Sequence, residues 1–182
     1  MQVTRISNVT NYFSSKERKQ QKVILMRTTN PLFISNNLLH LSFDENIPIT
    51  PMKLQRLLYF IYRDCLTKAN QSLFAERFEA WKYGPALSSI YDYFHQYKSN
   101  AITHYYKPLY QVNEKTNPIF SRVLYSIWNT YKFYDGIALS HLTQRQGTAW
   151  YKTWINYKTF LEDDDIRKEG YNENLSNKTW TG

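Results

Sequence analysis

Whatever this chain folds into has to accommodate an amphipathic stretch over residues 51–68. There Leu54, Leu57, Leu58, Ile61, Tyr62, Cys65 and Leu66 recur at three- and four-residue steps, the spacing that gathers side chains on one face of an α-helix. Lys53, Gln55, Arg56, Arg63 and Asp64 fill much of the other face, so the pattern predicts an amphipathic helix. Thr50 is placed to cap the free amides of the first turn. Pro51 loses no hydrogen bond, because the amide at the first helical position has no intrahelical partner.

Two further segments repeat the device of a proline at a helix start. Residues 85–98 carry Leu87, Ile90, Tyr91, Phe94 and Tyr97 behind Pro85; residues 118–134 carry Ile119, Val123, Leu124, Ile127, Trp128 and Tyr131 behind Asn117 and Pro118. Helical spacing also marks 33–42, 137–144 and 148–160, the last with Trp150, Trp154 and Ile155 on one face. Strand signals are confined to 78–83, where large apolar and polar residues alternate, with 103–112 as the expected partner. The expected fold is mainly α (α+β): a compact domain of about five to six helices with a small antiparallel sheet.

At 182 residues the chain is long enough to bury a core without disulfides or metals, and 17% aromatic residues supply the packing area. The one cysteine, Cys65, has no partner for an internal disulfide and falls on the apolar stripe, where it reads as a small hydrophobe. No apolar run approaches the roughly 18 residues that cross a bilayer, and no signal-peptide pattern is present; the expected setting is a reducing cytoplasm, away from membranes. The formal net charge is +8, but Arg5, Lys16, Arg18, Lys19, Lys22 and Arg27 against the single Glu17 place most of the excess in the first thirty residues. Three regions follow: a basic amino-terminal arm over 1–29, flexible or partner-binding; a folded domain over 30–160; and an acidic and polar carboxy-terminal tail over 161–182. The tail carries Glu162-Asp163-Asp164-Asp165 and, from Gly170, a run rich in asparagine and serine that reads as unable to sustain a packed element.

Motifs for chemistry are lacking. His40, His95, His104 and His141 are too far apart in sequence for a local metal clip, and the five glycines cannot compose a phosphate loop or a dinucleotide fingerprint. Glu76, Glu79, Asp92 and Asp135 are candidate paired acids by residue type alone; solvated carboxylates or cap partners are the simpler reading. The expectation is a protein that is not an enzyme and uses no cofactor or metal. The basic arm, with Tyr12 and Phe13 for stacking, suits phosphates or an acidic protein surface.

The stretch 50–94 is the most informative. It contains Lys53-Leu54-Gln55-Arg56-Leu57-Leu58-Tyr59 and then Phe78-Glu79-Ala80-Trp81-Lys82-Tyr83-Gly84-Pro85, ending at Tyr91. These two motifs, with Leu139-Ser140 and Trp150 further on, resemble the Panacea-domain family, the SocA-like or GepA-like phage-associated proteins, over roughly residues 30–158. Gly84 suits a turn that a side chain would obstruct, Pro85 presets the next helix, and Trp81 is expected to plug the core. Where the family commonly has a β-branched residue and a second proline, this chain has Ala86, Leu87, Ser88 and Ser89. A later family His and Glu are replaced by Thr143, Arg145, Thr148 and Ala149 before Trp150, so no role resting on that His is carried over.

The resemblance implies an antitoxin that neutralises a co-encoded toxin by direct contact or by delivery to a cellular protease. The alternative is a small nucleic-acid-binding regulator of mobile-element origin. Exposed Tyr, Trp and Arg concentrate binding energy at interfaces, so the partner-binding candidates are Trp81, Tyr83, Gly84, Pro85 and Tyr91, together with Arg18, Lys19 and Lys22 of the arm.

Overall fold

The computed structural model describes residues 30–70, 72–107 and 118–178, with side chains as far as residue 172. The arm residues Arg18, Lys19 and Lys22 lie outside the described residues. Seven α-helices and one two-stranded antiparallel sheet make up the described chain: α1 (Pro31–Glu45), α2 (Pro51–Ala69), β1 (Glu79–Trp81), β2 (Gly84–Ala86), α3 (Ser88–Phe94), α4 (Pro118–Tyr131), α5 (Gly136–Thr143), α6 (Ala149–Ile155) and α7 (Asp163–Lys178). The fold is mainly helical with a small sheet, as the pattern predicts. No helix among the described residues is long and apolar enough to cross a membrane.

Helix starts follow from local chemistry. Asn30 accepts from the Leu32 amide at 2.8 Å ahead of Pro31, and Thr50 accepts from the Lys53 amide at 3.3 Å ahead of Pro51. Asp135 and Thr148 cap α5 and α6 through the Ala138 and Tyr151 amides, each satisfying a donor that the helix itself leaves open. α1 and α2 both end on an asparagine in the left-handed region, Asn46 at φ 55° and Asn70 at φ 51°, a conformation that Asn tolerates better than most residues.

α2 is the axis of the domain. It packs against α1, α3, α4, α5, α7 and β2, and Leu54, Leu57, Tyr59 and Ile61 are fully buried. Tyr59 meets Phe78 edge-on with ring centroids 5.2 Å apart, Tyr62 lies 4.8 Å from Phe74, and Phe60 stacks on Tyr131 at 4.7 Å. These contacts tie α2 to the segment before β1 and to α4. Cys65 is buried on this helix, and burial pushes its thiol well above its usual range, consistent with packing as its role.

Most of the polar side of α2 is covered, with Lys68 near its end left exposed. Lys53, Gln55, Arg56 and Arg63 are all buried, because six elements pack around the helix. Each finds partners: Lys53 Nζ donates to the Pro48 and Lys132 carbonyls at 3.1 and 2.6 Å, and Arg63 reaches Glu169 of α7 at 3.4 Å. A three- to four-residue period reports which side is apolar; it does not report that the polar side meets water.

Three expectations are corrected. Pro85 starts no helix: it is the middle residue of β2, and α3 begins at Ser88, with Glu76 from the preceding loop accepting from the Ser89 amide at 3.0 Å and hydroxyl at 2.6 Å in place of a local cap. The partner of β1 is β2, in the register Glu79 to Ala86, Ala80 to Pro85 and Trp81 to Gly84, and not 103–107; the rest of the expected partner, 108–112, lies outside the described residues. Residues 159–161 add to the other edge of β1, the Ala80 amide donating to the Thr159 carbonyl at 2.7 Å and the Leu161 amide to that of Phe78 at 2.8 Å. A three-residue strand is too short for alternation to reveal its partner.

The polar stretch 161–182, expected as a tail, is helical from Asp163 to Lys178. Its acids occupy the first turn, where carboxylates favour the helix dipole, and several are paired: Tyr62 donates to Asp163 at 2.8 Å, and Lys152 meets Asp165 at 2.7 Å. Glu169 and Gly170 then press against α2. Glu169 accepts from Tyr59 at 2.6 Å and caps α6 through the Ala149 amide at 2.8 Å. A Cβ on Gly170 would stand 2.2 Å from Thr67 Oγ1, so the glycine that reads as a helix breaker is what lets the helices approach.

Candidate functional site

The hairpin β1–β2 and helix α3 stand over the amino-terminal half of α2, and between them lies a groove of about 460 Å³. Its walls are largely apolar: Met52 from α2, Trp81 and Tyr83 from the hairpin, and Ile90 and Tyr91 from α3, with His95 and Lys98 at the end beyond α3. Trp81 is half-buried and does not plug the core, a position Phe78 takes. Its ring meets Tyr91 edge-on at 5.0 Å, and its indole N–H donates to Glu79 at 2.8 Å. Tyr91 also stacks on the His95 ring at 5.2 Å. Tyr83 and Tyr91 leave 57% and 48% of their surface in solvent, so the groove presents aromatic faces and does not seal them.

Its floor is built from the polar residues of α2. The Gln55 amide pairs with the peptide group of Leu87 in both directions, Nε2 donating to the carbonyl and Oε1 accepting from the amide, each at 2.9 Å. Arg56 reaches further along the hairpin. Its Nη2 donates to the Tyr83 carbonyl at 2.6 Å, its Nη1 to the Pro85 carbonyl, and its Nε to the Ser140 hydroxyl of α5 at 3.0 Å. Burial pulls the guanidinium pKa down to about 9, which leaves it charged at neutral pH.

Gly84 explains how the turn fits over that guanidinium. Its φ is +118°, and a Cβ there would meet Thr143 Oγ1 at 2.7 Å and Arg56 Cζ at 2.9 Å. The glycine is thus required twice, by conformation and by close approach. The departure at Thr143 falls on this contact, and that at Thr148 provides the cap of α6.

Of the predicted partner-binding residues, Trp81, Tyr83 and Tyr91 line one groove, while Gly84 and Pro85 are buried beneath it as structure. Sequence reasoning passed over Gln55, Arg56, His95 and Lys98. A signal for the first two was present: adjacent polar residues inside a helix flanked by leucines. His95 and Lys98 carried none, because their place at the groove depends on where α3 ends. The candidate acids are not paired with one another: Glu76 caps α3, Glu79 holds Trp81 and Ser88, and Asp135 caps α5. All four histidines are exposed.

Comparison with known proteins gives one match. The family model described as antitoxin SocA-like, Panacea domain, matches residues 54–151, a span that runs from α2 through the hairpin, α3, α4 and α5 into α6. No curated protein and no solved structure matches the chain.

Proposed function

Because the chain belongs to the SocA-like antitoxin, Panacea-domain family, we propose that it is the antitoxin of a toxin–antitoxin pair and neutralises a cognate protein toxin by stoichiometric contact in the cytoplasm. The observation that carries this reading is the family match over 54–151, the span that supplies the aromatic residues of the groove. In this reading the chain binds and does not catalyse. Trp81, Tyr83 and Tyr91 offer large, rigid surfaces with polar tips at low entropic cost, the side-chain types on which protein contacts concentrate. Toxin held in this way is blocked directly or handed to a protease.

Expression of the adjacent gene in a bacterial host, alone and together with this protein, tests the proposal. Growth arrest by the neighbour and its relief by this chain are expected. A harmless neighbour, or toxicity untouched by this chain, rejects the antitoxin reading and moves nucleic-acid binding, with its steep salt dependence, to the front.

A further inference from the structure

Charge at the groove is one-sided. Arg56 lies on its floor, Lys98 and His95 lie at its end, and Lys82 sits over the Tyr83 ring at 5.3 Å; no Asp or Glu lines it. Glu79, held beside Trp81 by the indole N–H and the Ser88 hydroxyl, is an acid behind the wall and offsets only part of the positive charge of Arg56, Lys98 and Lys82. Arg56 is 3% exposed and its three hydrogen-bond acceptors are all neutral: two carbonyls and a hydroxyl. Among the described residues it forms no ion pair. Arg63, about two helical turns further on and equally buried, is paired with Asp64 and Glu169. A buried cation with only neutral partners is expensive and leaves a positive field in the apolar space above it. Such a field is weakly screened, because low-dielectric walls surround it.

We infer that the groove is the docking site for an acidic and apolar segment of the partner, a carboxylate side chain directed towards Arg56 and Lys98 with an adjoining apolar side chain against the Trp81–Tyr91 ring pair. The partner's identity as a toxin rests on the antitoxin reading; the chemistry of the groove does not. The volume of about 460 Å³ admits a few side chains, which suits one strand or one helix face carrying an anchor. A basic segment is excluded by the same field, so discrimination comes from repulsion as much as from attraction.

Two blocked pentapeptides serve as probes, Leu-Glu-Phe-Glu-Leu and its counterpart with both glutamates replaced by lysine, titrated into the full chain while the Trp81 indole resonance is followed. Lys98 is the residue to change, since Arg56 holds the hairpin. The acidic peptide is expected to shift Trp81 and to bind at least about tenfold more tightly than the basic one. Lys98→Glu should reverse that order, Lys98→Gln should weaken it, and added salt should reduce the part that depends on the exposed Lys98. Equal binding of the two peptides, no binding of either, or an unaltered preference in Lys98→Glu overturns the inference. So does self-association of the unmodified chain that Lys98→Glu abolishes while neither peptide shifts Trp81, which would assign the groove to a second copy. The two readings separate cleanly: peptide discrimination without relief of the neighbour's toxicity rejects the antitoxin role alone, and relief without peptide discrimination rejects the acidic anchor alone.

Discussion

Gln55 and Leu87 exchange two hydrogen bonds of 2.9 Å, the side-chain amide of the central helix closing a ring with the backbone N–H and carbonyl of the residue that joins β2 to α3. Both partners are buried, so this pair registers the hairpin and α3 on α2 and thereby shapes the groove. Gln55→Leu keeps the volume but leaves the buried Leu87 N–H unpaired, while the Leu87 carbonyl keeps the Tyr91 amide as a donor at 3.1 Å. One unsatisfied group costs about 1–3 kcal/mol, read as a lower midpoint in urea unfolding. Gln55→Glu, which keeps the acceptor alone, should destabilise as well.

Gly84→Ala places a methyl group 2.7 Å from Thr143 Oγ1 and 2.9 Å from the Arg56 guanidinium at a φ of +118°. Strain at such a backbone angle and overpacking add, each of order 1–3 kcal/mol. Thermal unfolding should show a clear fall in midpoint, whereas alanine at Gly147, with φ +93° and open space around it, should cost the backbone term alone.

Gly170→Ala should be destabilising by roughly 1–3 kcal/mol even though alanine favours helix. The cause is Thr67 Oγ1, 2.2 Å from the added Cβ. Thr67→Ala removes that atom, so the double variant should recover part of the loss. A double-mutant cycle with no coupling would show that α7 does not pack here.

Glu45 ties α1 to the end of α4, accepting from the Trp128 indole and the Lys132 ammonium, both at 2.7 Å. The bonds from Lys132 and Trp128 hold its carboxyl below its ordinary value of 4.5. A folded pKa below the unfolded one contributes stability above the unfolded value, and this is lost as pH falls through the folded value. Unfolding midpoints should therefore drop on acidification below pH 4.5, with a shallower drop in Glu45→Gln.

Tyr83 and Tyr91 are exposed on the groove, so Tyr83→Ala and Tyr91→Ala should leave the fold near its original stability. Neutralisation of the toxin should nevertheless weaken about tenfold or more, as for aromatic anchors at interfaces. Titrating inducer in the co-expression assay measures this, and equal protection by both variants would place the contact elsewhere.

The readable part of this protein is local. Repeats of three and four residues located six helices, and Thr50-Pro51 and Pro118 mark starts that the structure keeps. The tail could not be read, because its helix is held by Glu169 and Gly170 meeting Tyr59, Ala149 and Thr67, residues far away along the chain.

The same division runs through the groove. Aromatic residues around Gly84-Pro85 were visible as candidates from their types and order, since hydrophobicity and turn preference belong to each residue and its neighbours. Which of them face solvent, that Trp81 lines a wall while Phe78 fills the core, and that Arg56 lies under the turn were settled only when six elements closed around α2. Burial and pairing are properties of the packed whole: a polar side chain carries no mark of whether water or a distant carbonyl will meet it.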